Sequence, residues 1–293
     1  MLKSLTFDEL WYGYHKPALL QKLEVLNQSG HFDTQTLGFT LDYSIHYTRQ
    51  PLDIVPFART GGDGGYFGFL SDFGYWQDLD QAPIVYVVAI DFWDEHPSFG
   101  VKIIAENLFD FLRVMATTYT AEIFRTYDVF SIDYPTVIAQ THTDLESINH
   151  DLRLLTLQRL QEGFDITSMH GLHDYYEVIY QKRASHPGFT PLRDQLGLLT
   201  DQPITASDKA NYEALISNAN LLEVLPQLNH NGHRMFLREY PFLKAGQSHA
   251  VMLERCCAVM AESLSAREYR VLQFNAAYEL QWEADQKARQ SGT

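Results

Sequence analysis

Hydrophobic and polar positions alternate with two different periods along this chain, and the change from one to the other divides it. Pro17 opens "PALLQKLEVLNQSG", in which Leu19, Leu20, Leu23 and Leu26 share one face at helical spacing before Ser29 and Gly30 stop the run. "FTLDYSIHY" follows, with Phe39, Leu41, Tyr43, Ile45 and Tyr47 alternating against polar residues as a half-buried strand does. Further strands are predicted at Ile54 to Ala58, Tyr66 to Leu70, Ile84 to Asp91 and Val101 to Ile104. "IVYVVAI" is apolar on both faces, so it is expected to be the central, fully covered strand. The connections are mostly too short for crossover helices, which makes the sheet largely antiparallel.

After Ile104 the period becomes 3.6. Leu108, Phe111, Leu112 and Met115 form the apolar stripe of a helix capped by Asn107. "THTDLESINHDLRLLTLQRLQEG" offers a capping box, Thr143 with Glu146, a stripe at Leu145, Ile148, Leu152 and Leu155, and Gly163 as a stop. "ASDKANYEALISNANLLEVLP" reads as a helix ended by Pro226, whereas "NHNGH" reads as a loop. A second box, Ser265 with Glu268, separates a helix over 248–264 from one running from Ala266 towards Ala288. The expected class is therefore α+β, with a largely antiparallel sheet and flanking helices over 1–118 and a mainly helical extension over 119–293.

One stretch interrupts the strands with chemistry that needs a decision. "ARTGGDGGYFGFLSDFG", Ala58 to Gly74, holds six glycines and four aromatics. A phosphate loop needs a helix starting directly after its glycines, so that free N–H groups face the anion. Here a strand follows, and neither a Walker lysine nor a dinucleotide spacing is present. Gly61, Gly62, Asp63, Gly64 and Gly65 are instead expected to form a hairpin turn, with Gly68 at a close contact or bulge.

The order of these segments resembles the SUKH superfamily, which contains fungal cell-wall assembly regulators and many bacterial immunity proteins against polymorphic toxins. The resemblance rests on "DIVPFARTGGDGGYFGFL", "APIVYVVAID" and "KIIAENLFDFLRVM" and covers about Pro17 to Met115. Pro56, Phe57 and Ala58 match the Pro-aromatic-Ala step, Gly62, Asp63 and Gly64 the turn, and Ala105 to Leu112 the closing helix. It implies an α+β domain that binds proteins and has no general catalytic apparatus. Inhibition of a basic toxin domain is the immunity version, and a regulatory scaffold using the helical half is the other.

Charge narrows the partners. With 22 Lys and Arg against 37 Asp and Glu, the net charge is -15, and such a field repels phosphate backbones and anionic lipid. Between Thr60 and Val101 stand seven acidic residues and no Lys or Arg. Asp72, Asp91, Asp94 and Glu95, with Tyr75, Trp76 and Trp93 as aromatic anchors, are thus the candidate partner-binding face. No apolar signal core or segment of about 20 apolar residues is present, so a cytoplasmic chain with neither membrane nor nucleic acid as partner is expected.

Candidates for catalysis are weaker. Asp72 with Asp91, or Asp94 with Glu95, lack the positioned histidine that acid–base work needs. His170 with His173, beside Asp174, and His230 with His233 have i, i+3 spacing, but no HExxH helix carries them, and no metal or other cofactor is expected. No G-x-S-x-G elbow occurs, and Cys256 and Cys257 sit in an apolar helix as small core residues.

Overall fold

The structure is a computed structural model that describes residues 6–30, 32–44, 51–61, 64–88, 100–126, 129–145, 150–192, 194, 196–201, 204–217, 223, 225–240 and 248–291. It is α+β: a five-stranded antiparallel sheet with a helical second part. After a short helical turn, α1 (Phe7–Leu10), helix α2 (Ala18–Gln28) begins at Pro17 and ends at Ser29, with Gly30 at φ +75°. Pro at this position loses no helical hydrogen bond, which is why it marks the start. Leu20 and Leu23 bury the inner face.

Strands β1 (Thr40–Leu41), β2 (Ile54–Arg59), β3 (Tyr66–Leu70), β4 (Ile84–Val87) and β5 (Val101–Ala105) pair in chain order as a meander. The strand expected over Phe39 to Tyr47 is only two residues long. Asp42 bonds the Ser44 amide and hydroxyl and turns the chain there, and 45–47 lie outside the described residues. The middle strand is β3 rather than β4. Every residue of β4 is nevertheless buried, because helices close the sheet beyond it.

Helix α3 (Leu108–Thr118) starts at Asn107, whose side chain accepts from the Asp110 amide at 2.9 Å. Its Phe111 ring meets Phe39, Phe57 and Phe67 at centroid distances of 5.5, 5.6 and 5.3 Å, which fixes the helix across the sheet.

The second part continues with α4 (Ile123–Thr126), α5 (Tyr134–Leu145), α6 (His150–Phe164) and α7 (Leu172–Ala184). A small hairpin, β6 (Phe189–Thr190) with β7 (Leu198–Leu199), precedes α8 (Ala206–Ser217), α9 (His230–Glu239), α10 (His249–Met260) and α11 (Ala266–Ser291). Helix α7 seals the β5 edge with three tyrosines. Tyr180 accepts from the Ile103 amide at 3.0 Å, Tyr175 from the Glu106 amide at 2.8 Å, and Tyr176 donates to the Ile104 carbonyl at 3.2 Å. An edge strand left open would recruit another chain, so these hydroxyls take the place of a sixth strand.

Three local expectations are corrected. Thr143 lies inside α5 instead of capping a helix, and Glu146 is outside the described residues. Leu152 and Leu155 are exposed while Leu157, Leu160 and Phe164 are buried, and the helix runs through Gly163 to end where Asp165 takes φ +52°. "NHNGH" is helical. Asn229 caps α9 by accepting from the Gly232 amide, and Gly232 lies against Leu228, where a Cβ would come within 3.0 Å. The Ser265–Glu268 box is reciprocal as expected, with Ser265 N to Glu268 Oε2 at 2.9 Å and Glu268 N to Ser265 Oγ at 3.3 Å.

Candidate functional site

The glycine corner bends the sheet. Arg59 pairs with Tyr66, the Thr60 amide reaches the Gly65 carbonyl at 2.9 Å, and Gly64 has φ +75°. At Gly65 a Cβ would run into the Tyr86 hydroxyl. At Gly68 it would stand 2.5 Å from Ile54 Cγ2, where the register slips between Pro56 and Ala58. A strand starts directly after Gly65. Gly61 is exposed; Gly62 and Asp63 are outside the described residues.

The next turn is strained. Asp72, Phe73 and Gly74 adopt φ of +49°, +53° and +83° in succession. A bulky L-residue in that region costs about 1–3 kcal/mol, so something must hold it. Asp72 does: its carboxylate takes Arg183 Nη1 at 2.8 Å and Nη2 at 2.6 Å, and Trp76 Nε1 at 3.2 Å. Asp72 is therefore fully buried and does not belong to the docking face expected of it. Turn chemistry favours a solvated aspartate, but here a guanidinium from α7 takes the solvent's place.

Behind Asp72 stands Arg238, equally buried. It bonds Asp53 through Nη1, Asp194 Oδ2 through Nε at 2.8 Å and the Gly197 carbonyl through Nη2 at 3.2 Å. Burial pulls the Arg238 pKa down, but Asp53, Asp194 and Asp72 outweigh it and hold the group charged. Asp53 is pushed up to about 6 by burial, against the pull of Arg238. A different solution operates at Arg267, whose guanidinium is spent on main-chain carbonyls: Leu10 at 2.5 Å, Leu52 at 2.6 Å and Ile54 at 2.7 Å. Burial lowers its pKa.

Beside Arg267 opens a cavity of about 550 Å³, the size of a small-ligand site. Its walls are Tyr12 to Tyr14, the strained turn through Gln77, Thr200 and Asp201, His230 and Arg234 of α9, and the Glu262 to Arg267 junction. Arg234 Nε is buried and has no hydrogen-bond partner. Ser263, also in the wall, contacts His233 Nδ1 at 2.7 Å, and His233 Nε2 lies 3.0 Å from the Leu225 carbonyl. A carbonyl only accepts, so Nε2 carries the proton and Nδ1 accepts from the serine hydroxyl. Burial lowers the His233 pKa, and nearby His230 adds to the effect. This serine–histidine contact joins residues 30 apart and had no local sequence signal.

Tyr75 lines the large cavity and bonds His186 Nε2 at 3.0 Å, whereas Trp76 lines a separate cavity of about 160 Å³. The two expected aromatic anchors thus face different spaces, both half-buried. Asp91, Trp93, Asp94 and Glu95 lie outside the described residues. His173, Asp174 and Glu177 bring ligand atoms within 4.8 Å on an exposed face of α7, and His170 is not among them. Cys256 is buried with its thiol pushed up by burial, and Cys257 is pushed up to about 11 for the same reason. No described helix is long and apolar enough to cross a membrane. No protein-family model matches the chain, and no curated protein matches it.

Proposed function

We propose that the chain is a cytoplasmic protein that captures a basic protein partner by non-covalent contact, a role that itself needs no catalysis. The observation that carries this reading is a ridge on α11. Phe274, Tyr278 and Trp282 recur at i, i+4 and i+8, Tyr278 and Trp282 are 44% and 45% exposed, and the first two rings stand 6.2 Å apart. Tyr278 and Trp282, left in water one helical turn apart while Phe274 packs against the core, are what an interface anchor requires, and the net charge of -15 favours a basic partner. This favours the scaffold version, in which the helical half makes the contact. The resemblance of Pro17 to Met115 to the SUKH superfamily in sequence is the other ground for proposing the protein-binding class.

The immunity version keeps Asp91, Trp93, Asp94 and Glu95 as contact residues against a toxin and loses Asp72. Affinity capture from the native cell supplies the partner, and binding constants for the full chain then decide. Trp282→Ala weakens binding by about 30-fold or more if the ridge is an anchor. Charge reversal at Asp91, Asp94 and Glu95 slows association in a salt-dependent way if the acidic loops are used, and the protein then rescues cells expressing a neighbouring toxin gene. Binding indifferent to both sets of changes overturns the reading.

A further inference from the structure

We infer that Ser263, in the wall of the large cavity, and His233, bonded to it from behind that wall, form a nucleophile–base pair able to transfer the acyl group of small carboxylic esters. Three independent features converge on it. The serine is in the wall of a 550 Å³ space, so an ester can reach it, although its own exposure is 7%. Its hydroxyl proton is aimed at an imidazole whose tautomer is fixed from the other side by the Leu225 carbonyl, which does the orienting that a carboxylate does in a triad. Arg234, one residue beyond the base on α9, lines the same space and brings a cation to the side where an oxyanion would form. Burial also keeps the base neutral and able to accept a proton.

The step balances without a co-reactant other than water. Ser263 Oγ attacks the ester carbonyl carbon and its proton passes to His233 Nδ1. The carbon–oxygen bond to the alcohol breaks, and the same proton leaves with the alcohol. Water, deprotonated by His233, then cleaves the acyl-serine, releasing the carboxylic acid and restoring the hydroxyl.

The test is labelling of the full chain by a fluorophosphonate, with the modified residue located by peptide mass spectrometry, alongside hydrolysis of p-nitrophenyl butyrate. The expected result is one adduct on Ser263, lost in Ser263→Ala, together with a labelling rate about 100-fold lower in His233→Gln. No adduct on folded protein, an adduct on Ser265 or Tyr14 instead, or a Ser263 adduct indifferent to His233 would overturn the inference. Should His233→Gln not fold, the position of the wild-type adduct and its disappearance in Ser263→Ala decide alone. Partner capture is a separate matter: Ser263→Ala leaves the partner's binding constant unchanged, so failure of one reading does not mimic failure of the other.

Discussion

Two arginines of the helical part are driven into the interior against the sheet, and the interior receives them in opposite ways. Arg238 meets carboxylates, Asp53, Asp72 and Asp194, and its charge is matched by charge. Arg267 donates to three carbonyls on the Leu10 to Ile54 side and is solvated by dipoles alone. The opposite pKa directions follow, up for Arg238 and down for Arg267. The difference teaches that the same mechanical task, tying a helix to the start of β2, can be done by an ion cluster or by a hydrogen-bonded cation. Only the first leaves charges behind when broken.

The largest effect is therefore expected at Arg238. Arg238→Met strands buried carboxylates with Arg183 as the remaining cation and costs about 3–5 kcal/mol in urea denaturation. Arg267→Met leaves neutral carbonyls and costs about 1–3 kcal/mol. Equal losses, or the reverse order, would break the comparison. Asp53→Asn placed in the Arg238→Met background recovers about 0.5–3 kcal/mol, because the stranded charge is then removed. Any recovery from the same change in the Arg267→Met background should be smaller.

Gly68→Ala probes the Arg267 side alone. The new Cβ meets Ile54, whose carbonyl Arg267 holds, so a loss of about 1–3 kcal/mol is expected, additive with Arg238→Met. Ser265→Ala removes the acceptor that starts α11, the helix carrying Arg267, and lowers thermal stability by about 0.5–2 kcal/mol.

A pH series separates the cluster from its surroundings. Asp53 has a folded pKa of about 6 against an ordinary 3.8, so the folded form binds the proton first. Its contribution to stability grows as pH falls through 6 and levels off below 3.8. His233, held below its ordinary 6.5, acts in the opposite sense, because the unfolded imidazole charges first and stability is lost on acidification. Asp53→Asn removes the rising part, so its melting temperature should drop more steeply than the wild type's between pH 7 and 5. Parallel curves would mean that Asp53 is already ionised as an ordinary carboxylate.

Elements whose signals are local were legible. Pro17 begins α2, Asn107 caps α3, Ser265 and Glu268 exchange bonds, and the glycine corner separates two strands close to where alternation put them. The failures have local lookalikes. Thr143 has the capping residue and spacing, yet α5 had already started at Tyr134. Asn229 and Gly232 look like loop residues, but one caps a helix and the other admits Leu228. Asp72 carries the composition of a solvated turn, and its true partner, Arg183, is 111 residues away.

The sequence by itself determined the α+β class, the strand-rich start, the helical remainder and the turn at the glycines, since periodicity and dihedral preference act over a few residues. Tertiary structure alone decided which aspartate is buried, that Arg238 finds Asp53 across 185 positions, and that Ser263 faces a histidine. The reason is physical. A charge or hydroxyl has no preferred partner along the chain, and it acquires one only when packing removes water and leaves a single group within reach.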